Sequence, residues 1–287
     1  MNNGLPVRLS VSAHILRLYG VMTPVTIVKP RSVGHSDTGR VRASNQDAIL
    51  VDEASGLWLV ADGMGGHAGG AEASDLARAT VQAAITRGAR LEEAILEAHR
   101  AICEHQQQHP DKADMGTTIV ALRERDGGYE IVWVGDSRAY AFDGRSELLE
   151  MLTRDHNLPG RLVEAGAISQ SEANRHPRRH VLTDCLGLQS ETGPRIDRIT
   201  GQWRCNEMLL LCSDGLSGEL DDAEIVAILG QDKPLESLAC QLMKAALAAG
   251  ARDNVSLILV RAPEALPPAP SPGGWLTRLG QRFRKDR

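Results

Sequence analysis

Two tight turns limit the topology of this 287-residue chain more than any other feature. "RDGGYE" follows the β-branched run 118–123, and "FDGR" separates the run 139–142 from the apolar residues 148–152. An Asp-Gly pair offers the left-handed backbone that a short hairpin needs. A connection of that length joins antiparallel neighbours, because a parallel neighbour requires a crossover of about a dozen residues or more. A largely antiparallel sheet is therefore expected.

Further strand-like runs lie at 48–51, 57–61, 129–134, 208–212 and 255–260. Helical periodicity fills 71–87, 91–108, 159–165, 171–175, 223–229 and 235–249, and Leu91, Ala94, Ala98 and Ile102 form one apolar stripe. Ser169 with Glu172 fits a capping box, and Gly250 fits a helix stop. The helices are grouped between hairpins instead of following every strand, so an α+β layering is expected in preference to a doubly wound parallel sheet.

The alternation of strand and helix patterns runs from about residue 30 to 262 without a low-complexity break, so one domain is expected there. Residues 1–29 lack periodicity, and Met22 offers a second start, so they are taken as an extension outside the fold. After Ala262, "PEALPPAPSPGG" cannot hold regular structure. Residues 275–287 then place Trp275, Leu276, Leu279 and Phe283 on one helical face, with Arg278, Arg282, Arg284, Lys285 and Arg287 adding charge. Such a tail predicts weak contact with an anionic membrane surface or a protein partner.

Bulk charge excludes some functions. The net charge of -5 gives no broad attraction to nucleic acid. Cys103, Cys185, Cys205, Cys212 and Cys240 form no C-x-x-C pair, which argues against a disulfide scaffold and a thiolate zinc site and fits a reducing, cytoplasmic setting. No apolar run approaches the ~20 residues of a spanning helix.

The main chemical signal is repetition. An apolar run meets an aspartate with a small or polar neighbour at "LWLVADG" (Asp62), "IVWVGDS" (Asp136), "LLLCSDG" (Asp214) and "RDNVSLILV" (Asp253), and "NQD" places Asp47 upstream. Strand tips deliver their residues to a sheet edge, so these acids can converge. Two like charges 4 Å apart repel by roughly 4 kcal/mol at an effective dielectric of about 20, which a divalent cation between them reverses. Oxygen ligands favour Mg²⁺, Mn²⁺ or Ca²⁺ over zinc. The histidine pairs His105/His109 and His176/His180 have zinc-like spacing but lack the following glutamate, and Pro177 interrupts the second. Arg42, upstream of Asn45, is expected to bring a guanidinium near Asp47.

Gly63-Met64-Gly65-Gly66-His67-Ala68 formally matches the dinucleotide fingerprint G-x-G-x-x-A. The acid expected about 20 residues later is missing from "VQAAITRG", and Asp62 would repel a pyrophosphate. A dinucleotide-binding protein is thus the weaker alternative.

Read in order, "GRVRASNQDAIL", "LWLVADGMGGHAGGAEAS", "MGTTIVAL", "VWVGDSRAYAF", "LTRDHNL", "LVEAGAIS", "HPRRHVLTDCLG", "LLLCSDGLSGELDDAEI" and "ARDNVSLILV" resemble the metal-dependent (PPM, type 2C) serine/threonine protein phosphatases, in particular their bacterial branch. The resemblance implies a four-layer α-β-β-α sandwich with two central antiparallel sheets. It also implies hydrolysis of phosphoserine and phosphothreonine in proteins by a metal-activated water, opposing a serine/threonine kinase.

By the same resemblance, Asp62 bridges two Mn²⁺ or Mg²⁺ ions, Gly63 offers its carbonyl, Asp214 and Asp253 complete the shells, and Asp47 acts mainly through water. Asp136 with Asp214 holds a weaker third ion, Arg42 binds the substrate phosphate, and 157–190 forms a flap. The chain departs from many eukaryotic members at Met64, where they place a histidine and for which His67 is the nearest substitute. It departs also at Gln46, where some relatives carry a glutamate, and at Asp184, where related chains often have a basic residue. These departures suggest a second alternative, a catalytically silent phosphoprotein-binding relative.

Overall fold

The computed structural model describes residues 29–66, 69–125 and 127–263. The expectations for the N-terminal extension, for the tail at 275–287 and for His67 lie outside the described residues.

The chain runs β1 (Arg31–Asp37), β2 (Asp47–Asp52), β3 (Leu57–Met64), α1 (Gly69–Thr86), α2 (Leu91–Gln108), β4 (Gly116–Thr117), β5 (Ile119–Arg125), β6 (Gly128–Val134), β7 (Arg138–Asp143) and β8 (Leu148–Met151). It continues through α3 (Leu158–Glu164), α4 (Gln170–Asn174), β9 (Asp197–Gln202), β10 (Glu207–Cys212), α5 (Asp214–Ser217), α6 (Asp222–Leu229), α7 (Leu235–Ala249) and β11 (Val255–Arg261). One sheet has the order β1-β11-β10-β7-β8 and the other β2-β3-β5-β6-β9, with β4 added to β3. The pairings of both sheets are antiparallel.

Both Asp-Gly signals lie in hairpins. Arg125 pairs with Gly128 across the β5–β6 turn, where Gly127 has a φ of 75°. Asp143 pairs with Leu148 across the longer β7–β8 turn, which Glu147 closes at a φ of 52°.

Alternation along the central strands builds the layers. Leu57, Leu59 and Ala61 of β3 pack with Ala73, Ala77 and Val81 of α1 and with Ile95, Ala98 and Ile102 of α2. Trp58 and Val60 point the other way, into a core between the sheets shared with Leu209, Leu211, Ile258 and Val260. On the far side, Met208, Leu210 and Cys212 of β10 pack with Ile225 of α6 and Leu238 and Leu242 of α7. The result is the expected α-β-β-α sandwich. Strands covered on both faces must be apolar at every position, which is why β3 and β10 read as continuous apolar runs instead of alternating ones.

Strands β1 and β9 carry no such signal. They are edge strands, and β9 buries only Ile199, so neither offers an apolar period to detect. The Ser169–Glu172 capping box forms at α4, and Gly250 ends α7 at a φ of 137°. No parallel βαβ unit is present among the described residues, so a dinucleotide fold is excluded.

Candidate active site

The acids converge because the two sheets present their strand ends at one edge. Asp47 opens β2 and is the register partner of Asp62 near the end of β3, so these carboxylates are neighbours across the ladder. Asp136 lies in the turn between β6 and β7, Asp214 opens α5 directly after β10, and Asp253 precedes β11. Asp62, Asp136, Asp214, Asp253, Gly63 and Arg42 line one cleft of about 470 Å³. Asp47 sits beneath it, held by the Ser213 hydroxyl at 2.9 Å.

Backbone contacts fix Asp62. Its carbonyl accepts from the Thr118 N–H and the Thr117 hydroxyl, both at 2.9 Å, and its own N–H donates to Thr118 Oγ1 at 3.2 Å. Gly63 has no room for a side chain: a Cβ there would lie 2.0 Å from the Gly70 carbonyl oxygen and 2.5 Å from that of Gln46. The glycines after Asp62 therefore let the start of α1 close against the end of β3. Gln46 acts through its backbone, its carbonyl accepting from the Gly63 N–H at 3.1 Å and from the Ser74 hydroxyl at 2.6 Å.

Asn254, which the sequence pattern did not single out, organises the opposite wall. Its amide nitrogen donates to the carbonyls of Thr38 at 2.8 Å and Ser44 at 2.9 Å, while its oxygen accepts from the Gln46 N–H at 2.8 Å. This one side chain pins the loop that carries Arg42 to the strand that carries Asp47. Its adjacency to Asp253 in "RDNVS" was the available signal. Ser213, next to Asp214, was missed likewise.

The Arg42 guanidinium makes its hydrogen bonds to Asp253, with Nε and Nη2 at 2.8 and 2.7 Å from the two carboxylate oxygens, instead of to Asp47. The cause is its position in the loop that Asn254 ties beside β11, which places the strand-end acid of the other sheet within reach. Asp214 has a comparable neighbour in His180, whose Nδ1 lies 3.3 Å from Oδ2. Asp184 is engaged away from the acids, with Arg161 at 3.4 Å and the Arg195 N–H at 3.3 Å. Met64 ends β3 opposite Gly116. His105 and His109 stack at 4.1 Å, and His105 meets Glu72 at 3.0 Å, on helices away from these acids.

The electrostatics are those of an oxygen site for cations. Burial pushes Asp47 up to about 7, helped by the charges of Asp214 and Asp253 and opposed by the hydroxyls of Ser256 and Ser213. Burial also raises Asp62 well above the usual carboxylate range, with Asp47, Asp214, Asp136 and Asp253 adding to it. Asp136 rises through burial and the charges of Asp214 and Asp155. Asp47 Oδ1 is buried without a hydrogen-bond partner. A cluster of carboxylates, with Asp136 buried, the others partly so, and one buried oxygen of Asp47 orphaned, fits divalent ions, which satisfy oxygen ligands and reverse the repulsion.

A two-sheet sandwich with such a cleft defines a metal-dependent hydrolase of the phosphatase type. Comparison with known proteins agrees: the family described as Protein phosphatase 2C matches residues 35–259. Serine/threonine phosphatase stp of Listeria innocua is 32% identical over 238 residues, covering 78% of this chain and 93% of that protein. The crystal structure of the Mycobacterium tuberculosis serine/threonine phosphatase PstP/Ppp superposes with a TM-score of 0.72 at 32% identity, covering 82% of this chain and 100% of that one. The catalytic domain of PstP in complex with 2 manganese ions gives a TM-score of 0.70 at 30% identity, over 82% and 98% of the two chains. The chain belongs to the protein phosphatase 2C family and is a metal-dependent serine/threonine phosphatase.

Proposed function

We propose that the cleft hydrolyses phosphoserine and phosphothreonine in proteins with two Mn²⁺ or Mg²⁺ ions held by Asp62, Asp214, Asp253 and the Gly63 carbonyl. Asp47 acts through water, and Asp136 with Asp214 takes a weaker third ion. The observation that carries this proposal is the register pairing of Asp47 with Asp62 at the edge where Asp136, Asp214 and Asp253 also end. When bound, the cations supply an acidified water and offset the charge of the phosphoryl group.

The chain's own groups do the rest. Arg42 presents a bidentate fork to the two oxygens of Asp253, and the same fork geometry suits two phosphoryl oxygens of a substrate. The Asp62 backbone is held in place by Thr117 and Thr118, which fixes the strand end from which its carboxylate projects. With Met64 where many eukaryotic members of the family place a histidine, the leaving seryl or threonyl oxygen takes its proton from water.

The catalytic unit spans 30–262, and the natural substrates are phosphoproteins of a serine/threonine kinase, including the kinase itself. The segment 275–287 serves as a weak membrane or partner contact, and the setting is cytoplasmic. No helix among the described residues is long and apolar enough to cross a membrane. Phosphate release from a phosphothreonine peptide, with and without Mn²⁺, tests the proposal. Absence of Mn²⁺-dependent release would end it.

A further inference from the structure

The flap between α3 and β9 carries a charge feature that the metal site does not use. Residues 175–180 read Arg-His-Pro-Arg-Arg-His, and no acid occurs between Glu172 and Asp184. Turns shape this segment: the Arg179 N–H donates to the His176 carbonyl and the Val181 N–H to the Arg178 carbonyl, both at 3.1 Å. Further bonds tie it to the protein body. The Asn157 side chain donates to the Arg179 carbonyl at 2.8 Å, and the Leu158 N–H to the Val181 carbonyl at 2.9 Å. Arg179 is thereby fixed in the wall of the cleft that holds Asp62 and Asp214.

The arginines of that wall differ in what they hold. Arg42 lies on Asp253 and is assigned to the substrate phosphate, and Arg252 grips Glu219 through Nε at 2.9 Å and Nη2 at 3.3 Å. Among the described residues, the Arg179 guanidinium has no such partner. Glu219 feels its charge, but the carboxylate is already taken by Arg252. The cleft therefore has an acidic floor, suited to cations, and one wall guanidinium whose fork of donors is uncommitted. A side chain of this kind beside a bound phosphopeptide pairs with a carboxylate, and the planar fork fits both carboxylate oxygens.

We propose that Arg179 is a specificity-determining residue, binding an acidic side chain that flanks the phosphorylated residue, so that the enzyme prefers acidic phosphopeptides. The inference rests on the phosphatase function of the cleft. A partly exposed ion pair is worth enough to change kcat/KM by roughly three- to tenfold. Added salt reduces the preference, since exposed charges are screened.

The test uses the full chain with Mn²⁺ and two phosphothreonine peptides identical except for glutamate or glutamine on each side of the phosphothreonine, with p-nitrophenyl phosphate as a third substrate. Wild type is expected to favour the glutamate peptide roughly three- to tenfold, Arg179→Gln to lose the preference and Arg179→Lys to recover part of it. Arg175→Gln, outside the cleft wall, is expected to keep it. Equal hydrolysis of both peptides by wild type, or a preference that survives Arg179→Gln, overturns the inference. A wild type inactive on every one of these substrates overturns the phosphatase function, and this inference with it.

Discussion

Replacing Asp47 by asparagine is expected to stabilise the metal-free protein at alkaline pH while weakening its response to metal. Burial moves the Asp47 carboxyl from its ordinary 3.8 to about 7 in the folded chain. The folded state thus keeps a proton that the unfolded state has already lost, and stability falls as pH climbs between those values. Above about pH 7 the full cost of ionising Asp47 is in force, about 4 kcal/mol at 1.36 kcal/mol per pH unit. At about pH 5 only about 2 kcal/mol of it applies. The asparagine side chain avoids this cost but places an amide N–H₂ where Oδ1 now lacks a partner, a loss of about 1–3 kcal/mol that does not vary with pH.

The benefit of Asp47→Asn should therefore grow by about 2–3 kcal/mol between about pH 5 and pH 8, or roughly 4–12 °C in Tm for a chain of this size. Urea and thermal unfolding in EDTA at the two pH values measure it. With Mn²⁺ the order reverses, because the cation stabilises wild type by mass action and the variant far less. A substitution effect equal at both pH values would refute the argument, since it would mean that no strained buried charge resides on Asp47.

Three further outcomes follow from the geometry of the site. Gly63→Ala forces a methyl against the Gly70 and Gln46 carbonyls, so it should cost about 3 kcal/mol or more in chemical denaturation and abolish phosphate release. Asn254→Ala removes three hydrogen bonds to the 38–46 loop and should cost about 2–4 kcal/mol, with a fall in kcat/KM larger than expected for a residue outside the metal shell. Arg42→Lys keeps the charge but not the fork, so kcat/KM should drop roughly 10- to 100-fold with the melting temperature nearly unchanged.

Much of this was legible before any coordinates. The turns at 125–128 and 143–148 dictated antiparallel pairing, and the aspartates ending apolar runs pointed to one edge. Burial on both faces hid the strand period: Trp58 and Val60 alternate with Leu57, Leu59 and Ala61, yet all five are apolar because two different cores receive them. Edge strands β1 and β9 were silent for the opposite reason, having too little apolar surface to mark a face. At the site, residue types were readable but pairings were not. Arg42 meets Asp253, 211 positions away, because Asn254 ties two segments whose proximity no local pattern encodes. The glycine run after Asp62 resembled a phosphate cradle, while in the fold Gly63 and Gly70 permit a helix start to touch a strand end.

The most direct test of the account is Mn²⁺ binding and phosphopeptide turnover measured together in wild type, Asp62→Asn and Asp214→Asn. Wild type should bind about two ions per chain and release phosphate from a phosphothreonine peptide in proportion to their occupancy. Both variants should remain folded by circular dichroism, bind fewer ions and lose nearly all turnover. Turnover retained by either folded variant, or undiminished in wild type after exhaustive chelation, would contradict the claim that these strand-end aspartates hold the catalytic metals.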